Sequence, residues 1–206
     1  MSNSNFFIFP RLTELTERLA GVEAVRQRAT ECATGHVLEL SARSHNNLFY
    51  YPRTITSLTA LVSGRALGAA PRQHARQVLF PVDIREGSCD QIPLKDHRFD
   101  CVVSTFALGT APNVDLALQE IKRVLKPAGR LLFAEFGLSR DRKVATWQRR
   151  FGWLNRAFHG VALPMAIFED ALASNGFSLR SSACKYLQYV PRALGCYYEG
   201  VASNEE

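Results

Sequence analysis

Leu118-Gln-Glu-Ile-Lys-Arg-Val-Leu-Lys-Pro-Ala-Gly-Arg-Leu-Leu-Phe133 is the stretch of sequence from which the fold is inferred. Its first part belongs to a segment in which apolar residues recur every three or four positions, and this spacing predicts a helix over Val114–Leu125. Lys126-Pro-Ala-Gly129 predicts a turn, because proline and glycine end helices. The apolar run that follows predicts a strand over Arg130–Phe136.

The same alternation of strands and helices extends in both directions from this stretch. Short apolar runs predict four strands, at His36–Leu40, Thr54–Leu58, Gln77–Val82 and Asp100–Ser104. Helical spacing predicts helices over residues 10–33, 142–158 and 165–175. Two closing strands, antiparallel at the sheet edge, are predicted at Phe177–Ala183 and Cys196–Ala202. The fold class is therefore α/β, a doubly wound and mostly parallel sheet of seven strands with helices on both faces.

Composition and charge narrow the function classes. The 206 residues suit one domain, and no apolar run approaches the roughly 20 residues that a membrane span needs. The N-terminus has no basic leader before its short apolar stretch, so we expect a cytoplasmic protein. A net charge of +6 permits contact with nucleic acid or an anionic membrane. Because no nucleic-acid-binding motif accompanies the charge, we expect no nucleic-acid partner.

The cysteines do not predict a metal site. The five of them are scattered along the chain, without a CxxC pair or a Cys/His cluster at zinc spacing. We therefore expect reduced thiols and no bound metal. Cys101 lies in an apolar run and is interpreted as a small hydrophobic residue of the core.

Three segments together resemble the class I S-adenosylmethionine (SAM) methyltransferases: Gly87–Leu94, Phe99–Thr105 and Leu118–Leu132. The resemblance is to the bacterial branch related to the ubiquinone/menaquinone C-methyltransferases and the phospholipid N-methyltransferases. Phe9-Pro-Arg-Leu12, Trp147-Gln-Arg-Arg150 and the segment from Tyr189 to Ala202 are similar to the same branch. The resemblance thus covers nearly the whole chain and implies SAM as cofactor.

The resemblance also implies an organisation and a set of site residues. One domain over residues 1–206 would comprise an N-terminal helical cap (1–34), a cofactor-side half (35–137) and an acceptor-side half (138–206). In such sheets ligands bind at the carboxyl ends of the strands. The residues placed there as cofactor contacts are Glu39, Ser41, Arg43, His45, Asn47, Thr59, Ser88, Cys89, Asp90 and Ser104. Glu135, at the end of the fifth strand, is the candidate general base or acceptor-orienting residue.

The cofactor loop departs from the family pattern. After the strand residues Val37-Leu-Glu-Leu40, the three glycines of the family's loop are replaced by Ser41, Arg43 and His45. Glycine lets a ligand approach the backbone closely. Positive side chains next to a helix N-terminus favour an anion over the cationic sulfonium of SAM. The family also places an acid at the end of the second strand to hold the ribose, and Thr59 is the residue aligned with it.

Several of these residues have a second interpretation. Glu39 and Glu135 are equally consistent with polar residues at strand ends, and Asp90 with the N-cap of a helix. Asn47 is consistent with a helix cap, and Arg43 and His45 with solvated loop side chains. The sequence leaves these alternatives open.

Residues 140–156 combine six basic residues with Trp147, Phe151, Trp153 and Leu154, and the helix concerned lies within 142–156. Two interpretations remain: a helix that contacts a membrane surface peripherally, or a helix that covers the mouth of the active site with a solvated basic face. The exposure of the two tryptophans distinguishes them.

The sequence is consistent with two alternative functions. The first is a divergent SAM-dependent methyltransferase that acts on a small-molecule or lipid-like acceptor. The second is a catalytically silent pseudo-methyltransferase that binds a partner or an anion at the altered loop. The sequence gives no oligomeric state.

Overall fold

A computed structural model describes residues 21–41, 47–62, 75–159 and 168–204. The strands are β1 (His36–Ser41), β2 (Ser57–Val62), β3 (Val82–Glu86), β4 (Phe99–Thr105), β5 (Leu125–Phe136), β6 (Phe177–Tyr186) and β7 (Cys196–Asn204). The helices are α1 (Val22–Thr30), α2 (Val114–Val124), α3 (Arg142–His159), α4 (Phe168–Ser174) and the short α5 (Arg192–Gly195). Two 3₁₀ turns cover Leu48–Tyr50 and Leu108–Thr110.

The seven strands form one sheet in the order β3-β2-β1-β4-β5-β7-β6. β1 to β5 pair in parallel, and β7 runs antiparallel between β5 and β6. The predicted α/β class and the antiparallel pair at the sheet edge are confirmed. The strand order reverses between β1 and β4, and in open α/β sheets this switch point is where a crevice for ligands forms.

Alternate residues of the central strands bury opposite faces of the sheet. Leu38 and Val102 belong to the core shared with α2, whereas Val37 and Cys101 belong to the core on the other face. Cys101 is 0% exposed, which confirms its interpretation as a core residue. The central strands β1 and β4 therefore contribute to both cores.

Two predicted strands are displaced from their observed positions. β2 begins three residues after the predicted Thr54, and β3 occupies Val82–Glu86 rather than Gln77–Val82. β3 is an edge strand without a fully buried residue, so its sequence carries charges and gives no apolar signal. The apolar Phe80 that suggested the strand packs in the core as a loop residue.

The predicted turn at Lys126–Gly129 is part of β5. The strand starts at Leu125, and its pairing with β4 shifts register between Phe99 and Cys101. A β-bulge of this kind accommodates extra residues without ending the pairing. The predicted helices are observed at α2 and α3, and in part at α1 and α4. Residues 21, 31–33 and 175 are not helical, which corrects the predicted bounds, and residues 10–20 and 165–167 lie outside the described residues.

Candidate functional site

The carboxyl edge of the sheet carries a buried polar bridge at the switch point. Asn47, which follows β1, donates from Nδ2 to Thr105 Oγ1 at the end of β4 over 2.8 Å. Its Oδ1 accepts from Nη1 of Arg26 in α1 at 3.2 Å. Asn47 is 1% exposed. The side chain makes no cap hydrogen bond to the following 3₁₀ turn, so the helix-cap interpretation of Asn47 is wrong.

Glu135 lies one strand further along the same edge and is 1% exposed. Its Oε1 accepts from Ser104 Oγ at 2.6 Å, from the backbone N of Ala107 at 2.9 Å and from that of Leu108 at 3.2 Å. Burial raises the pKa of Glu135 to about 7, although these hydrogen bonds act in the opposite direction. The interpretation as a solvated strand-end acid is therefore wrong.

The hydrogen bonds of Glu135 define the shape of the loop after β4. Phe106 begins this loop with a φ of 53°, which is uncommon for a residue other than glycine. Its backbone N donates to Ala134 O at 2.8 Å. Glu135 then holds the backbone of the next two residues, Ala107 and Leu108. A carboxylate that is enclosed in this way orients a wall of the site rather than taking a proton from an acceptor.

Ser88, Cys89 and Asp90 form a turn directly after β3, at the same edge. All three are partly exposed, and the Ser88 hydroxyl donates to Asp90 Oδ1. No helix begins there, so the N-cap interpretation of Asp90 is wrong. Burial, followed by the Asp90 carboxylate, raises the pKa of Cys89 to about 11, and Glu135 acts in the same direction. The turn and Glu135 therefore lie at the same edge of the sheet, with β2, β1 and β4 between their strands.

Glu39 lies in β1, two residues before the strand ends at Ser41. It is 1% exposed and pairs in the sheet between Ala60 and Val103. Burial raises the pKa of the neighbouring Tyr51 well above its usual value, and the Glu39 carboxylate adds to the effect. Glu39 is thus a buried acid within β1.

Four further residues were predicted to contact the cofactor: Ser41, Arg43, His45 and Ser104. Arg43 and His45 lie outside the described residues, and Ser41 is the last residue of β1. Ser104 is 0% exposed and its hydroxyl donates to Glu135, so it acts within the protein and not on a ligand.

Thr59 is not at the carboxyl edge. It pairs with Leu38 and Asp83, three residues before β2 ends at Val62. At about 3.3 Å per residue, Thr59 is about 10 Å below the edge. The prediction that it occupies the position of the ribose-binding acid is wrong, because the predicted second strand was displaced by three residues.

The segment after β5 is held by hydrogen bonds from three other elements. The backbone N of Ser139 donates to Gln148 Oε1 of α3 at 2.7 Å, and Gln148 Nε2 donates to Gly137 O at 3.1 Å. The hydroxyls of Ser139 and Tyr186 are 2.7 Å apart. Tyr198 in β7 donates its hydroxyl to Leu138 O at 2.8 Å. Side chains from α3, β6 and β7 therefore fix residues 137–139.

Sequence reasoning missed Arg26, Thr105 and Gln148 as parts of this site. Arg26 and Gln148 are polar residues on helices that also carry many solvated charges, and only their burial (8% and 3% exposed) sets them apart. A usable signal existed for Thr105, because it is the last residue of a buried strand at the switch point.

In the part of α3 whose side chains are described, Trp147 is an exposed aromatic residue among basic ones. Trp147 is 41% exposed and stacks near Phe151, with ring centroids 4.5 Å apart. Non-helical backbone angles at Phe151 interrupt the helix. The side chain of Trp153 lies outside the described residues. Within the described ranges, no helix is long and apolar enough to span a bilayer, and no three metal-ligating side chains cluster.

Comparison with known proteins gives one family over the cofactor-side half. A family described as a methyltransferase domain matches residues 32–133. The ubiquinone/menaquinone biosynthesis C-methyltransferase UbiE of Rubrivivax gelatinosus is 38% identical over 99 residues. That match covers 48% of this chain and 35% of the relative, so the chain spans about a third of the relative's length.

Solved structures share the fold over a longer range. The YcgJ protein of Bacillus subtilis superposes with a TM-score of 0.71 at 14% identity, covering 89% of this chain and 98% of that one. The [4+2]-cyclase SpnF superposes with a TM-score of 0.67 at 16% identity, covering 89% of this chain and 80% of that one. At these identities the likeness concerns the fold alone.

Proposed function

We propose that the chain, whose residues 32–133 match a methyltransferase domain family, transfers a methyl group from SAM to a small, lipid-like acceptor related to the quinols. The observation that carries the proposal is the polar network at the switch point. Asn47, Thr105, Ser104 and Glu135 lie together where the family binds its ligands, in a sheet of the family's strand order.

The chemistry of the edge fits a cationic cofactor. Three acids lie there: Glu39 and Glu135, which are buried, and Asp90, which is partly exposed. The sulfonium of SAM supplies an electrophilic methyl group when the cofactor is bound. Ser88, Cys89 and Asp90 are the residues that we assign to the adenosine, and the backbone from Ser41 to Asn47 to the methionine end.

The protein's own contribution is to position the acceptor. Methyl transfer is an in-line displacement, for which alignment of the two reactants supplies much of the rate enhancement. Glu135 holds Ala107 and Leu108 on one side of the crevice, and Gln148 holds residues 137–139 on the other. We assign both as positioning residues, because their polar atoms are occupied by protein groups.

The quinol-like acceptor is supported by the sequence relative. The Rubrivivax protein is named for quinone biosynthesis, and its similarity to this chain falls in about half of the residues. A lipid-like acceptor also suits the exposed Trp147 beside basic residues such as Lys143 and Arg150. We therefore propose that this face of α3 contacts an anionic membrane surface peripherally.

Calorimetric titration of the full chain with SAM and with S-adenosylhomocysteine tests the cofactor. We expect micromolar binding, which corresponds to about −8 kcal/mol. Glu135→Gln keeps an acceptor oxygen for the same three donors but removes one of the three acidic groups at this edge, so it should bind SAM more weakly and transfer methyl more slowly. Absence of heat together with no thermal stabilisation by millimolar ligand would refute the enzyme.

The second candidate is a pseudo-methyltransferase, and the composition of residues 41–47 favours it. Three glycine positions hold Ser41, Arg43 and His45, and the two basic residues suit an anion better than a sulfonium. If this candidate is correct, Arg43→Gly should raise the affinity for SAM and lower that for phosphate. If the chain is instead a methyltransferase, Arg43→Gly should raise the affinity for SAM, and no phosphate should bind at this loop in either protein.

Cosedimentation with vesicles tests the membrane contact separately. We expect the wild type to bind vesicles that contain anionic lipid and Trp147→Ala to bind them less. The matched control is Leu179→Ala, since Leu179 is exposed to a similar extent (42%, against 41% for Trp147) but lies on β6. Equal losses in the two variants would contradict a specific role of α3.

A further inference from the structure

The amino edge of the sheet, opposite to the candidate methyl-transfer site, contains a cavity of about 390 Å³. Its lining residues are His36, Ser57, Thr59, Arg98, Phe99 and Lys126. The volume is in the range of small-molecule sites. None of these residues has a role in the proposed methyl transfer, so the cavity requires its own explanation.

The connection between β3 and β4 explains why the cavity is open. In most βαβ units a helix lies between two parallel strands and covers one face of the sheet. Residues 87–98, which are described throughout, contain no helix. Ser57 and Thr59 lie two residues apart in β2 and therefore on one face, and this connection places no helix over them.

Thr59 lines the cavity with a hydroxyl that a ligand can reach. The residue is 4% exposed, and its hydroxyl is not one of the buried polar atoms that lack a partner. Solvent in the cavity therefore contacts this hydroxyl, and a ligand with a hydrogen-bonding group can replace that solvent.

The charged groups around the cavity are mainly positive. Lys126 Nζ is 2.7 Å from Asp100 Oδ1, and Asp100 Oδ2 accepts from the backbone N of His36 at 2.8 Å. The guanidinium of Arg98 lies 5.6 Å from the ring centroid of Phe99. Among the described residues it has no carboxylate partner. One acid thus faces two permanent cations, and the imidazole of His36 lies beside them.

We propose that this cavity binds a small molecule through its phosphate group. Arg98 presents planar N–H donors that suit phosphate oxygens, and Lys126 adds a second cation. The hydroxyls of Ser57 and Thr59 donate to the remaining oxygens. The 2.8 Å contact between Ser57 Oγ and His36 Nδ1 orients the first of these hydroxyls. The ligand is an anion and therefore differs in charge from SAM.

Calorimetry on the full chain tests the site with two probes, inorganic phosphate and glycerol 3-phosphate. We expect both to bind, because the phosphate supplies the recognised group. Tighter binding of the ester indicates a phosphorylated metabolite as the natural ligand, and equal binding indicates free phosphate. Arg98→Gln should weaken either probe by about tenfold or more. Thr59→Val, which conserves the side-chain volume, should weaken it by about threefold and leave the melting temperature unchanged or higher.

Two control variants make the result specific. Lys143→Gln removes an exposed cation on α3, far from the cavity in the sheet order, and should leave phosphate binding unchanged. Arg43→Gln removes the cation of the altered loop and should also leave it unchanged. The proposal is overturned if neither probe releases heat, or if Arg43→Gln abolishes binding while Arg98→Gln and Thr59→Val do not.

The test of the phosphate site does not depend on whether the chain is a methyltransferase. Arg98→Gln should bind SAM as the wild type does, because the cavity and the cofactor edge are at opposite ends of the strands. If Arg98→Gln does not fold, Thr59→Val alone tests the phosphate site. An unchanged phosphate affinity of Thr59→Val then overturns the assignment.

Discussion

The two edges of the sheet hold similar polar groups in opposite environments. At the carboxyl edge, Asn47 and Glu135 are each 1% exposed and bond to strand ends and loop backbone. At the amino edge, the side chains of Lys126 and Asp100 are 38% and 35% exposed while they form an ion pair of 2.7 Å. Because solvent weakens exposed pairs, comparable distances stabilise the protein to very different extents.

The two edges also differ in how tightly their polar groups are held and in how accessible these groups are to solvent. The carboxyl edge fixes two loops around a crevice and leaves few polar atoms free for solvent. The amino edge leaves cations half-exposed around an open cavity, where an anion can reach them. Substitutions at the two edges therefore have different expected effects on stability, and four variants measure the difference.

Glu135→Ala is expected to have the largest effect. The Ser104 hydroxyl and the backbone N–H groups of Ala107 and Leu108 would lose their acceptor in a buried site. We expect the free energy of unfolding near pH 6 to fall by roughly 3 kcal/mol. Urea denaturation measures it. A change below about 1 kcal/mol would show that water or another group satisfies the three donors.

Glu135→Gln tests the pH dependence of the same carboxyl group. Its pKa is about 7 in the folded protein against 4.5 ordinarily. A raised pKa means that the folded state binds the proton more tightly, so this contribution is complete below the unfolded pKa and is lost as pH rises through about 7. From about pH 5 to about pH 8, the wild type should lose roughly 2 kcal/mol relative to Glu135→Gln. Parallel stability curves for the two proteins would contradict the raised pKa.

Asn47→Ala should have an intermediate effect. It removes the bridge between Arg26 and Thr105, both of which are buried. We expect a loss of about 1.5 kcal/mol in unfolding free energy. A double-mutant cycle with Thr105→Val isolates the bond between Asn47 and Thr105. A coupling energy near zero would mean that the two side chains act independently.

Lys126→Met should have the smallest effect. It removes the ion pair with Asp100 but keeps the length of the side chain. Since both partners are more than a third exposed, we expect a change of about 0.5 kcal/mol or less, which salt further reduces. A loss as large as that of Asn47→Ala would remove the distinction between the two edges.

The strands of the sheet centre could be predicted from sequence because they are buried on both faces. β1 and β4 show apolar runs, and their positions were predicted within a residue or so. β3 could not be located, because an edge strand with Asp83, Arg85 and Glu86 gives no apolar run. The displacement of β2 has another cause: Ile55 gives an apolar signal but packs in the core before the strand, which forms over the buried run from Leu58 to Val62.

The location of the site residues at the carboxyl edge could be predicted from the sequence, but the groups that they contact could not. The carboxyl edge follows from the topology alone, and Asn47, Ser88, Cys89, Asp90 and Glu135 do lie along it. Their partners do not follow, because hydrogen bonds such as Asn47 to Thr105 join residues 58 positions apart in the chain. The error at Thr59 has the same origin, since a shift of three residues moves a side chain from one edge of the sheet towards the other.

The position of β7 has a consequence for how the protein is made on the ribosome. β7 is inserted between β5 and β6, and it pairs with β5 from Arg130 to Phe136. Until Cys196 to Asn204 leave the exit tunnel, β5 therefore has one unpaired edge and β6 has no neighbour in the sheet. The nascent chain exposes an apolar strand edge of the kind that other chains can bind, which makes this interval the period when chaperones are most needed.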